Sequence, residues 1–72
     1  MEYRVRYDPL ADALYIRVRD SDIVDSIEVR ENLIVDFDKN GEVIGIEVIN
    51  FSKSKIDIGE LLVKGIEIVA KP

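Results

Sequence analysis

The stretch Tyr7-Asp8-Pro9-Leu10-Ala11-Asp12-Ala13-Leu14-Tyr15-Ile16-Arg17-Val18 decides the fold, because it holds a turn with strand signal on both sides. Pro9 pre-sets its φ for the second position of a turn, and the Asp8 carboxylate can accept a hydrogen bond from the backbone two residues on. Upstream, Tyr3, Val5 and Tyr7 alternate with Arg4 and Arg6; downstream, Leu14, Ile16 and Val18 alternate with Tyr15, Arg17 and Arg19. A period of two is the signature of a strand with one buried face, so the segment reads as a β-hairpin.

The same period continues. After the polar break Asp20-Ser21-Asp22, a third strand is expected from about Val24 to Arg30, then a tight connection at Glu31-Asn32. A fourth runs from Leu33 to Phe37 and a fifth from Val43 to Ile49, joined through Asp38-Lys39-Asn40-Gly41, where Asn40 and Gly41 tolerate positive φ. Ile44, Ile46 and Val48 share one face of the fifth strand, while Val43 and Ile49 place apolar groups on the other. Cover on both sides is therefore expected. From Ser54 to Lys64, Ile58, Leu61 and Leu62 fall at helical spacing, Asp57 can cap, and Glu60 and Lys64 form an i, i+4 pair before Gly65; Gly59 weakens the helix. Ile66-Glu67-Ile68-Val69-Ala70 alternates again, as a sixth strand would.

The expected architecture is α+β and mainly β: a single domain over residues 1–72 forming a twisted antiparallel meander of five or six strands, with one short C-terminal helix packed on it. Its expected core is Val5, Tyr7, Leu14, Ile16, Val18, Ile27, Val29, Leu33, Val35, Phe37, Ile44, Ile46, Val48 and Leu61.

Composition narrows the chemistry. The 72 residues contain neither cysteine nor histidine, which removes disulfides, thiolates, imidazole bases and ordinary zinc sites. A chain this short buries a modest core, so packing or self-association must reinforce it. No stretch approaches the roughly 20 apolar residues that cross a bilayer, and Met1-Glu2-Tyr3-Arg4 lacks the apolar run of a secretory signal, so a soluble, cytoplasmic protein is expected. The formal charge of −5 disfavours a nucleic-acid backbone and favours a basic protein partner. Abundant isoleucine, 35% charged residues and the lack of glutamine and threonine fit the composition of heat-adapted proteins.

Three constellations invite a chemical reading. Asp36 to Glu47 satisfies the EF-hand calcium-loop pattern, with Asp36, Asp38, Asn40 and Glu47 as side-chain ligands, the Glu42 carbonyl as a further one, and Gly41 at the bend. The flanking sequence is β-branched and alternating where an EF-hand needs helices, and Ile44 offers no oxygen at the ninth position, so a hairpin turn is the favoured reading and weak calcium binding the alternative. The second is the arginine face: with Val5 opposite Ile16, Arg4 faces Arg17 and Arg6 faces Tyr15, with Arg19 nearby. Opposed like charges need compensation. It comes either from acids such as Glu28 and Glu2 or from a bound anion, with Tyr15 available for stacking. The third, Asp8 with Asp12, resembles an acid–base pair, yet a turn on so small a domain offers little room to bury either group, so turn chemistry explains both. No nucleophile with its base and no phosphate-binding glycine loop is present, and no cofactor is implied.

Three blocks in order, Tyr7 to Val18, Asn32-Leu33-Ile34-Val35-Asp36-Phe37-Asp38 with the Gly41 turn, and Gly45-Ile46-Glu47-Val48-Ile49-Asn50-Phe51-Ser52-Lys53, resemble the DUF2283 family of small prokaryotic proteins of unknown function. The resemblance covers approximately residues 3 to 54. Family members usually carry Glu at the position of Leu10, which implies a solvent-facing site without catalytic duty. The resemblance brings no assigned activity. Some members resemble the small partner in inferred toxin–antitoxin gene pairs beside compact RNase-like proteins, which is analogy alone. The expected function is therefore a non-enzymatic protein-interaction module, a homodimer or an antitoxin-like partner of a basic RNase-like protein. The competing expectation is a small ligand-binding domain, taking calcium at Asp36, Asp38, Asn40 and Glu47 or an anion at Arg4, Arg6, Tyr15, Arg17 and Arg19.

Overall fold

Each of the five alternating stretches from Tyr3 to Ile49 folds as a strand in the computed structural model, which describes residues 3–57. The elements are β1 (Arg4–Asp8), β2 (Ala13–Arg17), β3 (Asp25–Arg30), β4 (Leu33–Phe37) and β5 (Val43–Ile49), followed by a 3-10 turn at Phe51–Lys53. Turn chemistry sets their ends: Asn32 (φ 64°) and Gly41 (φ 77°) take left-handed backbone in the β3–β4 and β4–β5 connections, and Asn50 (φ 55°) does so where β5 stops.

All neighbours are antiparallel, but the order across the sheet is β1-β2-β5-β4-β3, not that of a consecutive meander. β5 inserts between β2 and β4, and residues 18–24 cross from the middle of the sheet to its far edge. The physical reason is apolar content. Val43, Ile44, Ile46 and Val48 of β5 are all buried, so it takes the centre, whereas every residue of β3 except half-buried Val29 is exposed and suits an edge.

The register aligns the apolar residues in rows. Val5, Ile16, Ile46, Val35 and Ile27 lie directly across from one another, as do Tyr7, Leu14, Val48 and Leu33. The middle of each row is fully buried, and Phe51 and Ile56 pack on it from beyond the sheet. A bulge between Asp36 and Phe37 leaves Ile44 without a partner on β4 and turns Val43 into the core, while Ile44 is fully buried outside that cluster. The ends of the rows depart from expectation: Val5 is 50% exposed, Tyr7 45% and Ile27 45%, because they sit on the end strands, where no other described strand lies beyond them.

The expected helix over Ser54–Lys64 is not shown: Ser54 to Asp57 are non-helical, and the rest of it, with Leu61 and the sixth strand at Ile66–Ala70, lies outside the described residues. No helix among the described residues is long and apolar enough to cross a membrane.

Candidate functional site

The arginine face forms as its alternation requires, with Arg4 opposite Arg17 and Arg6 opposite Tyr15. Their neutralisation differs from expectation. Glu28 lies at the far edge on β3, where its carboxylate accepts the Asn32 amide at 3.2 Å, and Glu2 is outside the described residues. Instead Arg4 pairs with Asp20, Arg17 donates to the carbonyls of Arg19 (3.0 Å) and Ser21 (2.8 Å), and Arg19 reaches the Val43 carbonyl and Glu42, each at 3.3 Å. These three guanidiniums brace the 18–24 crossover, where tight turns with their own backbone hydrogen bonds are absent. Arg6 makes no hydrogen bond or ion pair with any other described residue. Arg4, Val5, Arg6, Tyr15, Arg17 and Asp20 line an open concavity of about 550 Å³ beside β1.

Tyr15 lies across Gly45, the one β5 position without a side chain on this face. Its hydroxyl donates to Asp36 at 2.9 Å, the Ser26 hydroxyl donates to the other Asp36 oxygen at 2.6 Å, and Arg17 approaches the Tyr15 oxygen at 3.5 Å. Burial raises the Tyr15 hydroxyl above its ordinary pKa, Arg17 opposes this, and Asp36 adds to it. The phenol is thus a neutral donor linking β2 to β4 across the intervening strand.

The calcium-loop residues are not gathered into a site. Asp36, on β4, is engaged by Tyr15 of β2 and Ser26 of β3. Asp38, only 7% exposed, turns its carboxylate back on its own loop, accepting the amides of Asn40 (2.8 Å) and Glu42 (2.9 Å). Glu47 sits well along β5, opposite Tyr15 and Ile34, away from the exposed Asn40 at the hairpin tip. Among the described residues no group of three or more acids is placed to hold a metal ion. Replacing Asp38 with alanine orphans two amides and is expected to cost about 1–3 kcal/mol in urea unfolding, by the same amount in calcium and in chelator.

The second cluster joins the two ends of the described chain. Asp8 caps its turn as its sequence predicts, accepting Leu10 at 3.0 Å and Ala11 at 3.3 Å. Asp12 (φ 50°) instead reaches over to the 3-10 turn, accepting the Tyr7 hydroxyl at 2.7 Å, the Ser52 hydroxyl at 2.7 Å and the Ser52 amide at 3.1 Å. The Asp12 carbonyl accepts the Phe51 amide at 2.9 Å, and the Phe51 and Tyr7 rings meet edge to face at 6.1 Å. Sequence reasoning placed Asp12 in a turn and missed this clamp, because its halves are 40 residues apart. The signal available was that Tyr7, Asp12 and Asn50-Phe51-Ser52 all belong to the blocks that carry the family resemblance.

The clamp makes a pH prediction. Hydrogen bonds from Tyr7 first, then Ser52, hold the Asp12 carboxyl below the usual range, and the same bond raises the Tyr7 hydroxyl. A depressed carboxylate pKa contributes stability that is complete above the unfolded value of about 3.9 and is lost as pH falls through the lower folded value. Asp12→Asn keeps a residue that tolerates positive φ, so the melting-temperature gap between it and the parent should be full at neutral pH and close below about pH 4.

A family model for a protein of unknown function, DUF2283, matches residues 4–52. The chain belongs to the DUF2283 family. No curated protein and no solved structure matches it. The matched span opens on Arg4, the first residue of β1, and closes on Ser52, the far end of the clamp. The DUF2283 unit in this chain is thus the five-stranded sheet together with the contact that ties its first hairpin to the turn after β5. Leu10, the position that the resemblance assigned to solvent, is 99% exposed.

Proposed function

We propose that this DUF2283 domain is a non-enzymatic protein-interaction module that binds other polypeptides through the margins of its sheet. The observation that supports it best is the exposure of all five residues of β1, Val5 and Tyr7 included, although the next residues in the same rows, Ile16 and Leu14, are buried. Half-covered apolar rows ending at unpaired edges are the places where a sheet gains most from a partner. A basic partner is favoured by the charge of −5 and by Asp20, Asp22 and Asp25, all exposed around the β2–β3 crossover; an antitoxin-like pairing with an RNase-like protein would be one such case. A second copy stacked on the apolar margin is the homodimeric case.

The test compares the full chain with a Val5→Ser/Ile27→Ser variant. Light scattering over a hundredfold range of concentration should show self-association, or affinity capture from extracts of the source cells should retain a stoichiometric protein, and either should be lost in the variant. A folded parent chain that stays monomeric and retains nothing overturns the reading.

A further inference from the structure

We propose that the open edge of β1 receives an extended acidic strand of a partner protein, with carboxylates against Arg4 and Arg6 and apolar side chains against Val5 and Tyr7. This rests on the interaction-module reading but not on the preference of the whole domain for a basic partner: it concerns the local chemistry of one edge, where arginines outnumber acids, and assigns that edge an acidic segment whatever the net charge of the rest of the partner.

Among the described residues the sheet ends in two strands with no outer neighbour, β1 and β3, and they differ. β3 is blunted by a register shift between Glu28 and Arg30, which twists a strand away from an incoming partner. β1 is in unbroken register with β2 over its full length, from Arg4 to Asp8, so its outer side presents a regular ladder of backbone donors and acceptors. The side chains flanking that ladder are sorted by face, Arg4 and Arg6 on one side and Val5 and Tyr7 on the other. A strand added here continues both patterns.

The polar side selects for charge. Arg4, Arg6 and Arg17 contribute three positive charges around the concavity and Asp20 one negative charge, a local excess of two on a chain whose total is −5. Arg17 donates to carbonyls and forms no ion pair with a described residue, and Arg6 has no partner among the described residues. Charged residues directly across neighbouring strands attract when opposite and repel when alike. An acidic strand removes an excess that is repulsive in the free domain.

A second copy fits this edge poorly. Antiparallel pairing of β1 with itself about Arg6 sets the two unpaired guanidiniums face to face, and pairing about Val5 sets each Arg4 against the other copy's Arg6. Asp8, which the first arrangement brings opposite Arg4, already accepts the amides of Leu10 and Ala11 through Oδ1 and would offset only the outer pairs, not the central Arg6 contact. Pairing β1 with β3 of another copy leaves a β1 free again and does not close.

The experiment titrates the full, isotope-labelled chain with eight-residue peptides of alternating glutamate and valine, lysine and valine, or serine and valine, followed by amide shifts and hydrogen exchange. The glutamate peptide should shift and protect β1 amides. It should bind at least about tenfold more tightly than the serine peptide, weaken with salt, and fail when N-methylated at alternate residues. Arg6→Glu should reverse the preference toward lysine. Equal binding of all three peptides, shifts confined to β3, or β1 amides already protected in the free chain by a second copy or by its own tail would overturn the proposal. A stoichiometric partner captured by the chain but mapping to β3 would overturn it while leaving the interaction-module reading intact.

Discussion

Ile46→Ala is expected to lower the unfolding free energy by about 2–5 kcal/mol, the largest loss of any single truncation in the sheet. Ile46 is fully buried at the centre of the row that runs from Val5 to Ile27, with Ile16 and Val35 directly across from it on either side. A cavity there has packed walls on two strands and little freedom to collapse. In a domain of this size each kcal/mol lowers the melting temperature by about 4–8 °C, so the effect is plain in a thermal melt. Val35→Ala should behave similarly with a smaller cavity, whereas Ile27→Ala, at the exposed end of the same row, should cost much less. Equal losses at Ile46 and Ile27 would contradict the row as described.

Gly45→Ala is expected to destabilise by about 1–3 kcal/mol, although glycine in a strand is ordinarily replaced by alanine with a gain. A Cβ at position 45 would lie 2.6 Å from Tyr15 Cζ and closer still to its hydroxyl oxygen. The ring would have to leave, releasing Asp36 from one of its two hydroxyl donors. Tyr15→Ala alone removes ring cover and that hydrogen bond, but in its background Gly45→Ala meets no obstacle. A double-mutant cycle measured by chemical denaturation should therefore show the two changes to be strongly non-additive, with the second nearly neutral or stabilising. Additive losses would mean that Tyr15 and Gly45 act independently.

Much of the sheet was legible because strand signals are local. Tyr3 to Arg19 announced a hairpin, and its register, Val5 across from Ile16 and Arg4 from Arg17, follows from the alternation and the turn together. The Asp38 turn was legible against a tempting calcium-loop pattern, since the residues around it alternate as strands do. The same locality explains the failures. Strand order is a contest among edges, and nothing near Arg17 or Asp25 in the chain states that β5 will come between β2 and β4. Glu28 was assigned to the arginines because consecutive strands were taken as neighbours, and the insertion of β5 and β4 moved it to the opposite edge.

The candidate surface divides in the same way. Its residues, Arg4, Arg6, Tyr15 and Arg17, were readable as one face, but their duties were not: Arg17 and Arg19 hold a crossover whose path depends on strand order, and among the described residues Arg6 alone of these arginines has no partner.

From the amino-acid sequence alone came five antiparallel strands, which residues of each strand share a face, and the absence of thiol and imidazole chemistry, because these follow from side-chain type and a two-residue period. The tertiary structure alone decided that β5 is central, that Val5, Tyr7 and Ile27 are margin and not core, and that Asp12 reaches Ser52. Those are outcomes of competition for burial among segments far apart in the chain, which no local pattern encodes.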